Sequence, residues 1–132
     1  MIAVKNLVKD YSGDGAVTHA VCGVTFNIKK GEFVSIMGPS GSGKSTLLHI
    51  LSFLDRPTEG SYAFSDKRMD ELSDNELAHI RNKEMGFVFQ SFNLLSLSSV
   101  YENIELPLLY STHTPPQKRK ELVEEAVASV GL

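Results

Sequence analysis

The chain has 132 residues, of which 42% are hydrophobic and 22% charged, and its formal net charge at pH 7 is −3. This length allows one domain with a hydrophobic core but not two full domains. The small negative net charge lacks the basic footprint of a nucleic-acid-binding protein, so no nucleic-acid partner is expected.

The first third of the chain predicts strands that lead to a glycine-rich loop. "IAVKNLV" and "AVCGVTFNI" are short β-prone stretches, and the second ends in the apolar–polar alternation of a half-buried strand. After a turn at "KKGE", the nearly continuous apolar run "FVSIM" (residues 33–37) predicts a parallel strand buried on both faces. Beyond the glycines, "KSTLLHILSFL" predicts a helix that lasts until the break at Asp55-Arg56-Pro57.

The middle of the chain predicts another strand–helix–strand succession. "TEGSYAFSD" contains a turn and a short strand. Ser73 and Glu76 form a capping-box pattern at the start of a helix, for which Gly86 is a plausible stop. "MGFVF" (residues 85–89) predicts a second buried strand, which ends at Gln90.

A last helix is predicted near the end of the chain. Thr114 is its expected N-cap, Pro115 occupies a position where proline is tolerated, and Gln117 completes a second capping box. The whole order of elements predicts an α/β chain with a parallel core and an additional, partly helical portion.

The stretch "GPSGSGKS" matches the phosphate-binding pattern G-x-x-x-x-G-K-[ST] and lies between a predicted strand and a predicted helix. Glycines let successive backbone N–H groups surround an anion, and a helix N-terminus adds further donors. The lysine brings a full positive charge to the β- and γ-phosphates, and the serine hydroxyl suits Mg²⁺. The predicted nucleotide-binding residues here are Gly38, Ser40, Gly41, Ser42, Gly43, Lys44, Ser45 and Thr46.

Other interpretations of this loop fit the sequence less well. A glycine-rich turn with a surface lysine would explain the composition but not the position between strand and helix. A small GTPase would need N-K-x-D, and "NKEM" at residues 82–85 fails at its fourth position. A small-molecule kinase would need an arginine-rich lid, and none is evident.

Three stretches carry a resemblance to a known family: "GEFVSIMGPSGSGKSTLLHIL", "LSDNELAHIRNKEMGFVFQSFNLL" and "ENIELPLLY". They resemble the ATP-binding subunits of ABC transporters, in particular the lipoprotein-releasing and macrolide-exporting subfamily. The resemblance covers all 132 residues and implies a P-loop NTPase fold of the ABC type. That fold has an N-terminal antiparallel β portion, a partial parallel core sheet and the start of a helical subdomain.

The resemblance also implies roles for single residues. Tyr11, in "VKDYS", matches the aromatic residue that stacks on adenine. Gln90 matches the Q-loop glutamine, which contacts Mg²⁺ and the attacking water. Lys44 and Gln90 are thus the implied catalytic residues, Ser45 and Gln90 the metal ligands, and ATP and Mg²⁺ the cofactors. The stretch from Ser91 to Leu109 would face a membrane permease.

Less specific interpretations of the same residues stay open. Tyr11 could be an edge aromatic, and Gln90 a surface amide at the end of a strand. The apolar side chains after Gln90 could be local core instead of a permease contact; they are Phe92, Leu94, Leu95 and Leu97.

Residues that the family needs for hydrolysis are not found in this sequence. It contains no L-S-G-G-Q signature, no apolar strand ending in Asp-Glu (the Walker B motif) and no candidate for the switch histidine. Residues 1–132 are therefore expected to be the N-terminal part of a single nucleotide-binding domain, which binds ATP with little hydrolysis. The alternatives are a stand-alone nucleotide-binding module without a catalytic role, or a different P-loop NTPase such as a kinase.

The expected location is cytoplasmic, at the inner face of the membrane. A lone cysteine, Cys22, fits a reducing compartment, and the first residues lack the pattern of a signal peptide. The longest apolar run, "LLHILSFL", is far shorter than the roughly 20 residues that span a bilayer. Membrane association would come through the permease partner. In the full-length parent, the nucleotide-binding domain would form a homodimer and the direction of transport would be export.

Overall fold

The computed structural model describes residues 1–13, 15–111 and 113–132. The described chain divides into two compact units, Met1–Ala78 and His79–Leu132. The first unit carries the β-sheet and the glycine-rich loop, and the second is helical. This division matches the predicted α/β class, with an antiparallel β portion followed by helices.

The sheet of the first unit has four strands: β1 (Ile2–Gly13), β2 (Ala16–Ile28), β3 (Glu59–Phe64) and β4 (Lys67–Arg68). Their order is β2-β1-β3-β4, and each neighbouring pair is antiparallel. The apolar–polar alternation at the end of the second β-prone stretch fits this sheet, because one face is covered and the other meets solvent. The predicted N-terminal antiparallel portion is confirmed.

A break in the register of β1 brings the start of β3 close to it. Pairing shifts between Val4 and Leu7, and Asn6 takes a left-handed φ of 48°. The Asn6 amide donates to the hydroxyl oxygen of Thr25 on β2 over 2.8 Å. A Cβ at Gly60 would overlap the carbonyl oxygen of Asn6, so only glycine lets β3 approach the bulge this closely.

Helix α1 (Lys44–Leu51) buries Leu47, Ile50 and Leu51, and an aromatic contact just after the helix joins its end to the sheet. The helix is shorter than predicted, because Phe53 takes a left-handed φ of 59° and ends the helical backbone. The Phe53 ring lies 5.0 Å from the ring of Tyr62 on β3, and the Tyr62 hydroxyl donates to the Leu51 carbonyl over 2.6 Å. The buried side chains of this unit are Val4, Leu7, Val21, Leu47, Ile50, Leu51, Phe53, Tyr62, Met69 and Leu77.

Three helices follow: α2 (Asp74–Glu84), α3 (Val100–Leu109) and α4 (Pro116–Ser129), with a short 3₁₀ turn at Met69–Glu71 before them. The boundary between the two units falls within α2. In the second unit, the Asn82 side-chain amide donates to the Pro107 carbonyl over 2.8 Å, and Val123 of α4 is buried. Over the described ranges, every helix is too short or too polar to cross a bilayer.

The caps of α2 and α3 show how local signals fix these helices. The predicted capping box of α2 is confirmed, since the Ser73 amide donates to the Glu76 carboxylate over 2.8 Å and the Glu76 amide points back to the Ser73 hydroxyl. Helix α3 has the same arrangement between Ser99 and Glu102, and sequence reasoning missed it. The S-x-x-E signal was present there, but Pro107 argues against a helix through that stretch.

The predicted cap of α4 is wrong. Its N-cap is Pro115, without a side-chain cap, and Pro116 is the first helical residue. The Thr114 hydroxyl donates instead to the Ser111 hydroxyl over 3.0 Å. The Pro-Pro pair explains the difference: each proline suits an extended or first-turn φ and moves the helix start past Thr114.

The two predicted buried strands are also wrong. Neither residues 33–37 nor residues 85–89 form a strand, and Phe33 and Val88 are 99% and 97% exposed. A strand of the buried parallel type needs hydrogen-bonding neighbours on both edges. Among the described residues, the only paired strands are the antiparallel ones of the first unit, so no parallel core sheet is present there.

Candidate nucleotide-binding site

The glycine-rich loop runs from Gly38 into the first turn of α1 and depends on left-handed backbone at two glycines. Gly41 and Gly43 have φ of 77° and 81°, and Gly43 is the N-cap of the helix. A Cβ at Gly43 would overlap the carbonyl oxygen of Ala20 on β2, whereas a Cβ at Gly41 would meet open space. The loop is thus pressed against β2 at Gly43 and stays open to solvent at Gly41.

The Lys44 side chain folds back and hydrogen-bonds the backbone at the start of the loop. Its ammonium group donates to the carbonyl oxygens of Gly38 and Pro39 over 2.9 and 2.7 Å and lies 3.5 Å from the Ser42 hydroxyl. A single positive charge therefore lies at the centre of the loop, held by weak neutral acceptors. An anion that enters the loop would offer this ammonium a charged acceptor, and hence a stronger hydrogen bond than a neutral carbonyl gives.

The start of α1 adds hydrogen-bond donors to the same place. The Leu47 amide donates to the Gly43 carbonyl over 2.8 Å, so the helix begins directly after the loop. The first amides of a helix have no intrahelical acceptor, and they carry the positive end of the helix dipole. Ser45 is exposed on this first turn, and Thr46 is half-buried beside it.

Tyr11 lies at the same end of the first unit, on β1. Its hydroxyl donates to the Asp55 carboxylate over 2.8 Å, and the residue is 42% exposed. The Thr46 side chain lies near the Tyr11 hydroxyl and acts to lower the pKa of the phenol. Partial burial and the Asp55 carboxylate raise the pKa of the Tyr11 phenol above its ordinary value. The structure therefore brings Tyr11 close to Thr46, on the first turn of α1.

Asp55 and Lys9 are site residues that sequence reasoning missed. The Lys9 ammonium donates to the Asp55 carboxylate over 2.6 Å and lies over the Tyr11 ring, 4.8 Å from its centroid. Burial alone would raise the pKa of the Asp55 carboxyl, but the hydrogen bonds from Lys9 and Tyr11 outweigh it and hold this pKa below its ordinary range. The only indication in the sequence that Lys9 lies near Tyr11 is their spacing of two residues along β1, which places both side chains on one face of the strand.

Gln90 is the one predicted site residue that lies in the second unit. It is exposed and forms a bend after residues 85–89. The other predicted site residues lie in the first unit. The strand that was expected to position Gln90 is not formed, so its metal and catalytic roles stay predictions.

The apolar side chains after Gln90 do not form a local core. Phe92, Leu94, Leu95 and Leu97 are all exposed, and Leu97 fully so. Of the two interpretations of these residues, local packing is therefore wrong. Exposed apolar side chains concentrated in one stretch are typical of a contact surface.

A metal site built from protein ligands alone is not seen in the described part of the chain, where no three His, Cys, Asp or Glu side chains cluster suitably. The oxygen ligands that the loop and the first turn of α1 offer are instead side-chain hydroxyls, among them those of Ser45 and Thr46. Such a set suits a cation that brings phosphate oxygens and water as further ligands, as Mg²⁺ does.

Comparisons with known proteins find relatives of most or all of this chain. The family model described as "ABC transporter" matches residues 21–132. An uncharacterised ABC transporter ATP-binding protein of Methanocaldococcus jannaschii is 46% identical over 127 residues, which are 94% of this chain and 54% of the relative. The macrolide export ATP-binding/permease protein MacB of Bdellovibrio bacteriovorus is 48% identical over 111 residues, which are 84% of this chain and 17% of that protein.

A solved structure of an ATP-binding cassette has a fold similar to that of this chain. It is the dimeric, post-hydrolysis state of an ATP-binding cassette bound to ADP and Pi, with a TM-score of 0.88 and 44% identity. The likeness covers 100% of this chain and 58% of that one. The chain thus spans little more than half the length of the cassette proteins that it matches.

Proposed function

The chain belongs to the ABC transporter family, and on that premise we propose that it is part of an ATP-binding subunit that couples Mg-ATP binding and hydrolysis to transport through a membrane permease. The observation that carries this proposal is the loop closed around Lys44, with an exposed aromatic ring beside its last residue. In this subunit the loop holds the phosphates and the ring holds the base.

The loop residues fit a polyphosphate. Gly43 leaves no space for a side chain, and the charge of Lys44 is held by carbonyl oxygens that phosphate oxygens can replace. We assign the phosphates to the backbone amides of residues 38–46 and to Lys44. Bound Mg²⁺ would neutralise phosphate charge, with Ser45 and Gln90 as its protein ligands.

Tyr11 is assigned to the adenine ring. Its exposed ring can stack on a flat base, and such stacking is tolerant of base identity because every base has a π-face. Gln90 is assigned to the attacking water, which it would orient next to the γ-phosphate.

For residues 1–132 by themselves, we propose ATP binding with little hydrolysis. They contain no signature motif, Walker B motif or switch histidine, which in the family orient the water and complete the site across a dimer. Single-turnover hydrolysis of ATP tests this: a rate in the ordinary enzyme range of roughly 1 to 1,000 per second would contradict it.

The partner would be a transmembrane permease that is contacted by residues 91–109. The exposed side chains of Phe92 and Leu97 supply an apolar contact surface in that segment. The subunit would act as a homodimer at the cytoplasmic face of the membrane and drive export. Crosslinking from residues 92 and 97 to a co-expressed permease would test the contact.

The phosphate assignment is tested by Lys44→Ala. Removing the charge-assisted contacts should weaken Mg-ATP binding by about ten- to a hundredfold, or roughly 1.5 to 3 kcal/mol. Lys30→Ala is the matched control, because Lys30 is exposed in the turn after β2 and outside the loop. Calorimetric titration with Mg-ATP measures both variants, and an unchanged dissociation constant for Lys44→Ala would refute the assignment.

A further inference from the structure

The Tyr11 ring is held by contacts at both its edge and one of its faces. At the edge, its hydroxyl donates to Oδ2 of Asp55 over 2.8 Å. At the face, the Lys9 ammonium lies 4.8 Å from the ring centroid. A base can therefore stack on only one face of this ring, the one opposite Lys9.

Lys9 and Asp55 also form an ion pair with each other. The Lys9 ammonium donates to Oδ1 of Asp55 over 2.6 Å and to the Arg56 carbonyl over 2.8 Å. The Lys9 side chain is only 12% exposed, so this ion pair is shielded from bulk solvent more than a surface pair is. Oδ1 also accepts the Arg56 amide over 2.8 Å, which fixes the carboxylate plane.

The backbone around Asp55 is anchored on both sides. Before it, the Leu54 amide donates to the His49 carbonyl at the end of α1 over 2.8 Å. After it, the Thr58 amide donates to the Val8 carbonyl of β1 over 2.8 Å. Asp55 thus lies in a short connection, hydrogen-bonded on both sides, between the helix that follows the glycine-rich loop and the strand that carries Tyr11.

We propose that Asp55, together with Lys9, is a positioning pair that fixes the orientation of the Tyr11 ring relative to the phosphate loop. The pair does not touch the nucleotide. It reduces the conformational freedom that the ring would lose when a base stacks on it, so that binding costs less. This inference rests on the proposed function, because it takes Tyr11 to be the residue that holds the base.

The test separates the base from the phosphates. The dissociation constants of Mg-ATP and of Mg-tripolyphosphate are measured by calorimetry for the 132-residue chain, and their ratio reports the contribution of the nucleoside. Tyr11→Phe keeps the ring and removes only its hydroxyl, and Asp55→Asn keeps the shape and removes the charge. Each should reduce the preference for ATP by about three- to tenfold and leave tripolyphosphate binding within about twofold.

A double variant and two controls sharpen the result. Tyr11→Phe combined with Asp55→Asn should lose little more than either single variant, because both act on the same contact between Tyr11 and residue 55. The controls are Tyr110→Phe and Asp66→Asn, which make the same substitutions at exposed positions outside the site and should change nothing. If Asp55→Asn fails to fold, Tyr11→Phe still decides, since it removes a single oxygen atom from a partly exposed ring.

The remaining outcomes distinguish this inference from the proposed function. If Tyr11→Ala reduces the preference for ATP while Tyr11→Phe and Asp55→Asn retain it, the positioning role is overturned and base stacking stands. If Tyr11→Ala also retains the preference, Tyr11 does not hold the base, and both assignments fall.

Discussion

Gly43 is the position in the glycine-rich loop that leaves least space for a side chain, and Gly43→Ala tests the reason. Its φ of 81° is a left-handed conformation that costs a residue with a Cβ about 1 to 2 kcal/mol. In addition, the new Cβ would overlap the Ala20 carbonyl oxygen and lie 3.2 Å from the carbonyl carbon. This carbonyl belongs to β2, so either the loop or the strand must move, which adds roughly 1 to 3 kcal/mol.

Gly41→Ala separates the cost of the left-handed conformation from the cost of the contact with β2. Gly41 has nearly the same φ, 77°, but a Cβ there would meet nothing within 4 Å. Both substitutions also reduce the entropy of the unfolded chain equally, so that effect cancels between them. We expect Gly41→Ala to lower the free energy of unfolding by about 1 to 2 kcal/mol and Gly43→Ala by about 2 to 5 kcal/mol.

Urea unfolding followed by circular dichroism measures this difference. The slope of the free energy with urea should stay the same in both variants, so that a shift of the midpoint reports stability alone. Equal midpoints for the two variants would refute the argument, because they would mean that the contact with β2 has no energetic effect.

Two further predictions concern side-chain hydrogen bonds. Tyr62→Phe leaves the Leu51 carbonyl without its 2.6 Å donor in a buried place and should lower the free energy of unfolding by about 1 to 3 kcal/mol in urea; an unchanged midpoint would contradict this. Asp55 has a pKa below that of the unfolded chain, so its stabilising effect is present above about pH 4 and is lost as the pH falls through the lowered folded-state pKa. The difference in urea midpoint between the native chain and Asp55→Asn should therefore be present at pH 7 and shrink toward pH 3, and a difference that is independent of pH would show that the charge is not responsible.

Features encoded within a few neighbouring residues were predictable from the sequence. The glycine-rich loop is one continuous stretch of eight residues, and the left-handed Gly43 and the charge of Lys44 lie where its pattern requires. The capping box of α2 is equally local. That of α3 carries the same pattern, between Ser99 and Glu102, although it was not predicted.

Features that depend on distant partners were not predictable. The apolar runs at residues 33–37 and 85–89 have strand composition, but composition cannot say whether a neighbouring strand exists to accept their hydrogen bonds. Asp55 is likewise an ordinary acid after a helix until the fold brings it to Tyr11, 44 positions away. The chemistry of a loop can be recognised from its sequence, whereas the residues that position its neighbours can be found only from the structure.

The contacts of Tyr11 also have a spectroscopic consequence. The chain has four tyrosines and no tryptophan, so its near-ultraviolet absorption and intrinsic fluorescence are dominated by phenol rings. One of the four lies where the base is proposed to stack, and a base arriving on its open face would change its emission without any attached dye. In an alkaline titration, Tyr11 and Tyr62 should form phenolate later than a free tyrosine, since both have raised pKa values.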